Sequence, residues 1–247
     1  MITSHIKDRR WRRGRFFWTR MRTIAVFSYR YDAHLVPDLI ANLDPIVDGW
    51  IAFDDRQAQG IFSSETQRRH LLLESARDAG ADWILAVDPD ERLERATADR
   101  IGQLTSRHQR IAWGFHFREM YSSTDYRIDG LWGAKMQHRL FRAYDPGRYR
   151  SQELHGLWYP GDLGFREKDT SLNLYHLKMI EPRRRYGRLA LYKHLDPKHE
   201  MQEIGYDYLA DETDARFERI PPGRGYHPPH VDDGRMWMAD LTAETEG

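Results

Sequence analysis

The sequence contains no cysteine. A disulfide framework is therefore excluded, as are cysteine-ligated zinc and iron–sulfur centres. It has no apolar run near the roughly 20 residues that span a bilayer, and its N-terminus lacks the apolar core of a signal peptide. A cytoplasmic protein, soluble or peripheral at a membrane, is the expectation. Net charge is also missing: Lys plus Arg and Asp plus Glu number 38 each, so no overall field draws the chain to nucleic acid. No internal repeat is visible.

What is present is a polar globular composition, 40% hydrophobic and 31% charged, over 247 residues, enough for one large domain with appended arms. The charge is unevenly placed. Residues 1–22 form a basic, aromatic arm in which Trp11, Phe16, Phe17 and Trp18 interleave with arginines. Such an arm is either solvated or a contact for a membrane surface or polyanion. From Pro221 to the end the chain is rich in Pro and Gly and reads as an extended tail.

Between these ends the pattern is regular. Thr23–Phe27 reads as a strand, Ala33–Leu43 as a helix with Leu35, Val36, Leu39, Ile40 and Leu43 at helical spacing, and Trp50–Phe53 as a second strand. Ser64–Asp78 reads as a helix opened by a capping box of Ser64 and Gln67, and Trp83–Val87 as a third strand. Alternating strands and helices predict a parallel sheet with helices on its faces, with ligands beyond the carboxyl ends of the strands. All three strands end on polar residues: Ser28 and Tyr29, Asp54 and Asp55, Asp88 and Asp90. Further on, "IAWGFHFREMY" and "AKMQHRLFRAY" alternate as half-exposed strands do. Residues 182–194 and 197–211 read as helices.

The third strand runs into "DPDERLE". In an extended segment Asp88 and Asp90 share a side, and two carboxylates so placed are reconciled by a hard divalent cation such as Mg²⁺ or Mn²⁺ that also takes phosphate oxygens. The plainer alternative is a solvated turn in which an aspartate caps a helix.

The stretch from "FSYRYDAHLVPDLIANL" through "DGWIAFDD" and "RRHLLLESARDAGADWILAVDPDERL" resembles the nucleotide-binding half of family 2 glycosyltransferases. The resemblance covers Thr23–Leu93 and extends loosely through "KMQHRLFR" and "LYHLKMI". It implies a GT-A fold: an α/β, Rossmann-like, mostly parallel sheet with helices on both faces and an acceptor-side C-terminal half. The domain would span 23–220, with the nucleotide half at 23–95 and the acceptor half at 96–220. It also implies a nucleotide-sugar donor, UDP- or GDP-linked, a divalent metal, and a carbohydrate, glycolipid or protein acceptor.

In that resemblance Ser28 and Tyr29 approach the nucleotide, and Asp54 or Asp55 contacts the base or ribose. Arg69 holds the acidic motif or the diphosphate. Asp90 binds metal, Asp88 the ribose or a metal-bound water, and His176 completes the metal site. Glu153, beside His155 in "SQELHG", is the candidate general base for an inverting transfer. The arginines of "EPRRRYGR" (Arg183, Arg184, Arg185, Arg188) could clamp a diphosphate or face solvent. His227 and His230 are too few for a metal centre. Trp113, Trp132 and Trp158 fit core packing or a sugar subsite. Two other readings stand beside the transferase. One is a non-catalytic carbohydrate-binding or assembly module. The other is a phosphatase-type enzyme with an aspartate nucleophile, disfavoured because its acidic pair belongs on the first strand.

Overall fold

The computed structural model describes residues 1–7, 21–57, 64–106, 108–149, 157–200, 203 and 205–231. Along the chain the strands and helices are β1 (Ile2–Ile6), β2 (Thr23–Tyr29), α1 (Val36–Leu43), β3 (Gly49–Asp54), α2 (Glu65–Asp78), β4 (Trp83–Ala86), β5 (Glu91–Leu93), α3 (Thr97–Leu104), β6 (Ile111–Glu119), β7 (Asp125–Arg127), α4 (Gly130–Gly133), β8 (Met136–Arg142), β9 (Arg166–His176), α5 (Pro182–Leu195) and β10 (Phe217–Arg219). Among the described residues no helix is long and apolar enough to cross a membrane.

Eight strands form one mixed sheet in the order β1-β3-β2-β4-β8-β6-β9-β5, and β7 pairs with β10 separately. The expectation of a mostly parallel sheet needs correction. β3, β2 and β4 are parallel neighbours, as are β6 and β9, but β1, β8 and β5 run the other way. The cause is topological. β8 enters between β4 and β6 antiparallel to both, so the carboxyl ends of β2, β3, β4, β6 and β9 still lie along one edge.

Strand alternation sorts the core into two layers. Ala25, Phe27, Trp83 and Leu85 face α1 and α3 through Leu39, Leu43, Ile101 and Leu104. Ile24, Val26, Ile84 and Ala86 face α2 through Leu72, Leu73 and Ala76. Helices therefore cover both faces of β2 and β4, which explains why these strands are apolar without interruption. Each fully buried Leu or Ile contributes about 1.5–3 kcal/mol. α2 begins with the N-cap its sequence foretells: Ser64 accepts a hydrogen bond from the Gln67 amide at 3.3 Å.

Other segments depart from expectation. The arm read at 1–22 opens as an edge strand, because Ile2–Ile6 pairs antiparallel with Gly49–Phe53; residues 8–20 lie outside the described set. The helix expected over 197–211 is not formed by the described residues of that stretch, which contain only a short 3-10 turn, Asp207–Leu209. His199 and Gly205 take φ of 57° and 67°, which a right-handed helix does not accept. The proline-rich tail is docked where it begins. Tyr226 is buried and bridges to Glu94, and Arg224 forks onto the Glu94 carboxylate at 2.8–3.1 Å.

Candidate active site

The order β3-β2-β4 places the chain's switch of direction between β2 and β4, where open α/β sheets form a crevice at the carboxyl ends. Buried polar side chains gather at that edge. Val87 continues the pairing of β4 with β2 through its amide to Val26 O at 3.1 Å. The chain then turns: the Glu91 amide bonds Asp88 O at 2.9 Å, and β5 starts. Arg92, buried, fastens this turn by donating to Pro89 O (2.7 Å), Glu91 O (2.8 Å) and Leu35 O (3.1 Å).

Because residues 88–91 form a turn and not an extended run, Asp88 and Asp90 part company, contrary to the expectation that they share a side. The Asp88 side chain is 49% exposed and meets Arg139 of β8 at 3.0 Å. The same Arg139 nitrogen pairs with the buried Glu91, whose Oε2 also accepts from the Asp88 amide at 3.0 Å. Burial lifts the Glu91 carboxyl to about 7 against the pull of Arg139.

Asp90 points the other way, into a buried ionic cluster, and is 2% exposed. Its Oδ2 lies 3.3 Å from His176 Nε2, at the end of β9, and 3.2 Å from Lys178 Nζ. Its Oδ1 is buried with no hydrogen-bond partner among the described residues. His176 is fixed from behind by Glu119, the last residue of β6, with Nδ1 to Oε2 at 2.5 Å; Glu119 also pairs with Lys135 at 3.3 Å. An imidazole with a carboxylate at each nitrogen favours the doubly protonated form. Burial alone would lower the His176 pKa, but Glu119 and Asp90 raise it to about 9. Burial works to raise Asp90, yet Lys178 and His176 hold it well below the usual carboxylate range. Arg188 of α5 adds positive charge beside Glu119 and Asp90, and its Nη2 donates to Tyr192 Oη at 3.0 Å. Asp32, in the loop after β2, completes the group across the crevice: burial and then the Asp90 charge push its carboxyl up to about 6.

A third group lies at the ends of β2 and β3. Tyr29 and Asp54 are register partners. Arg56 grips Asp54 bidentately at 2.9 and 2.7 Å, and its guanidinium stands 5.5 Å from the Tyr29 ring centre. That bonding draws the Asp54 carboxyl down to about 2. Asp55 accepts from Arg68 at 2.7 Å. Ser28 is part-exposed on the same strand end.

The fold thus brings Asp90 and His176 together, sets Asp88 apart on Arg139, and leaves Ser28, Tyr29, Asp54 and Asp55 as a neighbouring rim. Arg69 pairs with Glu65 and lies 4.7 Å from the Trp158 ring centre; the guanidinium brought onto Asp88 is that of Arg139. Glu153 and His155 lie outside the described residues. Within "EPRRRYGR", Arg188 faces the cluster, Arg185 pairs with Glu212 at 2.6 Å, Arg184 meets His34 at 3.3 Å, and Arg183 is exposed. Trp132 and Trp158 are buried in apolar clusters, and Trp113 packs beside one.

Sequence reasoning missed Asp32, Glu119, Lys135, Arg139 and Lys178. Glu119 carried a signal as the acid closing an alternating strand, and Lys178 stands two residues beyond His176; Arg139 carried none within its strand.

Among the described residues no group of three or more His, Asp or Glu side chains converges as a metal centre. Asp90 and His176 form a pair, and the unpartnered Asp90 Oδ1 is a free acceptor beside it. That donor set suits Mg²⁺ or Mn²⁺ bound in part by substrate phosphates, since such ions need only one or two protein carboxylates.

No family model matches the chain, and no curated protein matches it. Among solved structures, that of S. aureus TarS 1–349 is similar, at 11% identity over 78% of this chain and 70% of that one, with a TM-score of 0.39. A likeness of that size carries no argument about fold or function.

Proposed function

We propose that the chain is a glycosyltransferase that takes a sugar from a UDP- or GDP-linked donor, with a GT-A arrangement of its nucleotide half. The observation that carries this reading is the convergence, at the β2/β4 crevice, of a buried Asp90 with His176, Lys178 and Arg188. A site for a sugar nucleotide has to accept a diphosphate, and cations gathered beside an incompletely satisfied carboxylate are the chemistry for it. The resemblance of Thr23–Leu93 to family 2 glycosyltransferases supports the same assignment.

In this reading Tyr29 and Ser28 flank the nucleoside, and Asp54 or Asp55 recognises the base or ribose. Asp88, half-exposed at the crevice mouth, meets the ribose. Glu119 holds the imidazole of His176 in place. A divalent cation, Mn²⁺ or Mg²⁺, would be held by Asp90 and His176 and would supply charge neutralisation on the departing diphosphate. Metal binding there would release the proton His176 carries between its two carboxylates. Glu153 is the proposed general base toward a glycan, glycolipid or protein acceptor, which would give inversion.

The test is release of nucleoside diphosphate from a panel of UDP- and GDP-sugars, with Mn²⁺ or Mg²⁺ present, for the full chain and for Asp90→Asn. Turnover of one donor that falls at least a hundredfold in the variant is expected. If no donor is hydrolysed or bound, the transferase reading is overturned and a non-catalytic module takes its place.

A further inference from the structure

We propose that the outer edge of β1 is the surface through which two copies of this chain pair, antiparallel and with Ser4 on the two-fold axis, joining their eight-stranded sheets into one. This pairing is independent of the glycosyl-transfer reading.

The first observation is that the edge is open. The sheet ends on β1 at one side and on β5 at the other. The chain itself closes the β5 edge, through the Glu94–Tyr226 bridge and the Arg95 amide donating to Gly225 O at 3.0 Å. On β1 the bonds to β3 fall on odd-numbered residues. Met1 and Asp54 exchange both bonds at 2.8 Å, the Lys7 amide bonds Asp48 O at 2.9 Å, and Thr3 and His5 hold the ladder positions between. The amides and carbonyls of Ile2, Ser4 and Ile6 therefore point away from β3, and none has a hydrogen-bond partner among the described residues. Ile2–His5 is exposed, with Ile2 at 38%. Natural edges are guarded by proline, bulges or lysine. Ile2–Ile6 contains no proline or lysine and pairs with β3 in unbroken register, and the adjoining Lys7 turns back onto its own protomer, 2.8 Å from the Asp44 carboxylate.

The second observation is that the strand complements itself. Its sequence, Ile-Thr-Ser-His-Ile, has isoleucine at both ends and serine at the centre. Antiparallel pairing about Ser4 sets Ile2 against Ile6 of the second copy and Ser4 against Ser4. Each is a hydrogen-bonded pair, because all three residues present their backbone groups to the open edge. Alternation puts Ile2, Ser4 and Ile6 on one face, where Ile6 and the Phe53 opposite Ile2 already pack on the core layer of α2. The joint continues that layer through an Ile2–Ile6 contact on each side of the axis and covers part of the exposed Ile2. A one-residue slip sets the open groups against groups already bonded to β3, and a two-residue slip leaves an isoleucine without its opposite. The strand thus specifies both its register and its partner, a second copy of itself. Such a short ladder is a small interface, so a concentration-dependent equilibrium is expected.

The experiment is sedimentation velocity of the full chain from about 1 µM to about 1 mM. The wild type should pass from monomer to dimer and no further. Ser4→Pro removes an outward donor without touching a bond to β3, at an edge where proline is tolerated. It should raise the dissociation constant about tenfold or more. Because the chain has no cysteine, a single introduced one reports the register. In a hydrogen-bonded antiparallel pair the Cα atoms stand about 5.5 Å apart, within reach of a disulfide. Under mild oxidation Ser4→Cys should cross-link to a dimer about tenfold or more faster than Ile2→Cys, whose opposite residue is Ile6. Circular dichroism and thermal melts establish that each variant is folded; if Ser4→Pro is not, the two cysteine variants decide. A wild type that stays monomeric over the whole range, a dimer equally tight in folded Ser4→Pro, growth beyond a dimer, or equal cross-linking from positions 2 and 4 overturns the proposal.

Discussion

Removing Arg139 should be the most informative perturbation of the acidic turn. Its side chain is 10% exposed and reaches both Asp88 and Glu91, and the Glu91 side chain is 1% exposed. Arg139→Met keeps the aliphatic stem and deletes the charge, leaving Glu91 buried without its cation. Breaking one partner of a buried pair costs about 3–5 kcal/mol. For a chain of this size that is a fall in Tm of about 6–20 °C, at about 2–4 °C per kcal/mol.

The loss should depend on pH, with a sign fixed by Glu91. Its folded carboxyl already sits at about 7, above its ordinary 4.5. The folded state therefore holds a proton the unfolded state has released, and wild-type stability falls as pH rises from about 4.5 to about 7, then levels. Without Arg139 the carboxyl rises further, so the variant goes on losing stability above pH 7. The gap between the two proteins should widen by up to about 1.4 kcal/mol from pH 7 to pH 8. Urea denaturation at pH 6, 7 and 8 reads it directly. Arg139→Met with Glu91→Leu should recover most of the loss, because an apolar pair in place of a buried ion pair is neutral or better. A single variant within about 1 kcal/mol of wild type at pH 8, or a gap that does not change with pH, would refute the reasoning.

Other outcomes follow from the same contacts. Asp90→Asn should both abolish Mn²⁺-dependent nucleotide binding and lower stability by about 3–5 kcal/mol, since His176 and Lys178 lose the carboxylate between them; a variant as stable as wild type in urea would place Asp90 outside the cluster. Ser64→Ala should cost α2 about 1 kcal/mol through loss of its cap to the Gln67 amide, measured by urea denaturation. Asp129, drawn down to about 2 mainly by hydrogen bonds from Arg127 against its burial, contributes stability that is complete above about pH 4 and is lost as pH falls through about 2. Asp129→Asn should therefore flatten the acid limb of the stability profile between those values, and an unchanged limb would count against that bond.

The first half of the fold was legible because its signals are local. β2, β3 and β4 announce themselves as short apolar runs ending on polar residues, and α1 and α2 by their spacing and the Ser64 cap. β8 and β6 showed the alternation of antiparallel strands, but nothing local states that β8 inserts between β4 and β6. β1 was hidden by its polar sequence, since an edge strand with exposed faces needs no apolar pattern. The site divides likewise. Asp88, Asp90 and Glu91 stand out as acids at a strand end, but alternation does not apply within a turn, and so the two aspartates face different partners. Their partners come from far along the chain: Arg139 is 48 residues from Glu91, and the Glu119 that fixes His176 is 57 residues from it. Only the sheet order brings such residues together.

The central claim is that the crevice between β2 and β4 holds a nucleoside diphosphate. The most direct measurement is calorimetric titration of the full chain with UDP and with GDP, each with Mn²⁺ and with a chelator, repeated on Asp90→Asn. The account predicts saturable binding of one of the two nucleotides by the wild type in Mn²⁺, and loss of that Mn²⁺-dependent binding in the folded variant. Binding of neither nucleotide at millimolar concentration under either condition, or equal binding by wild type and variant, would contradict it.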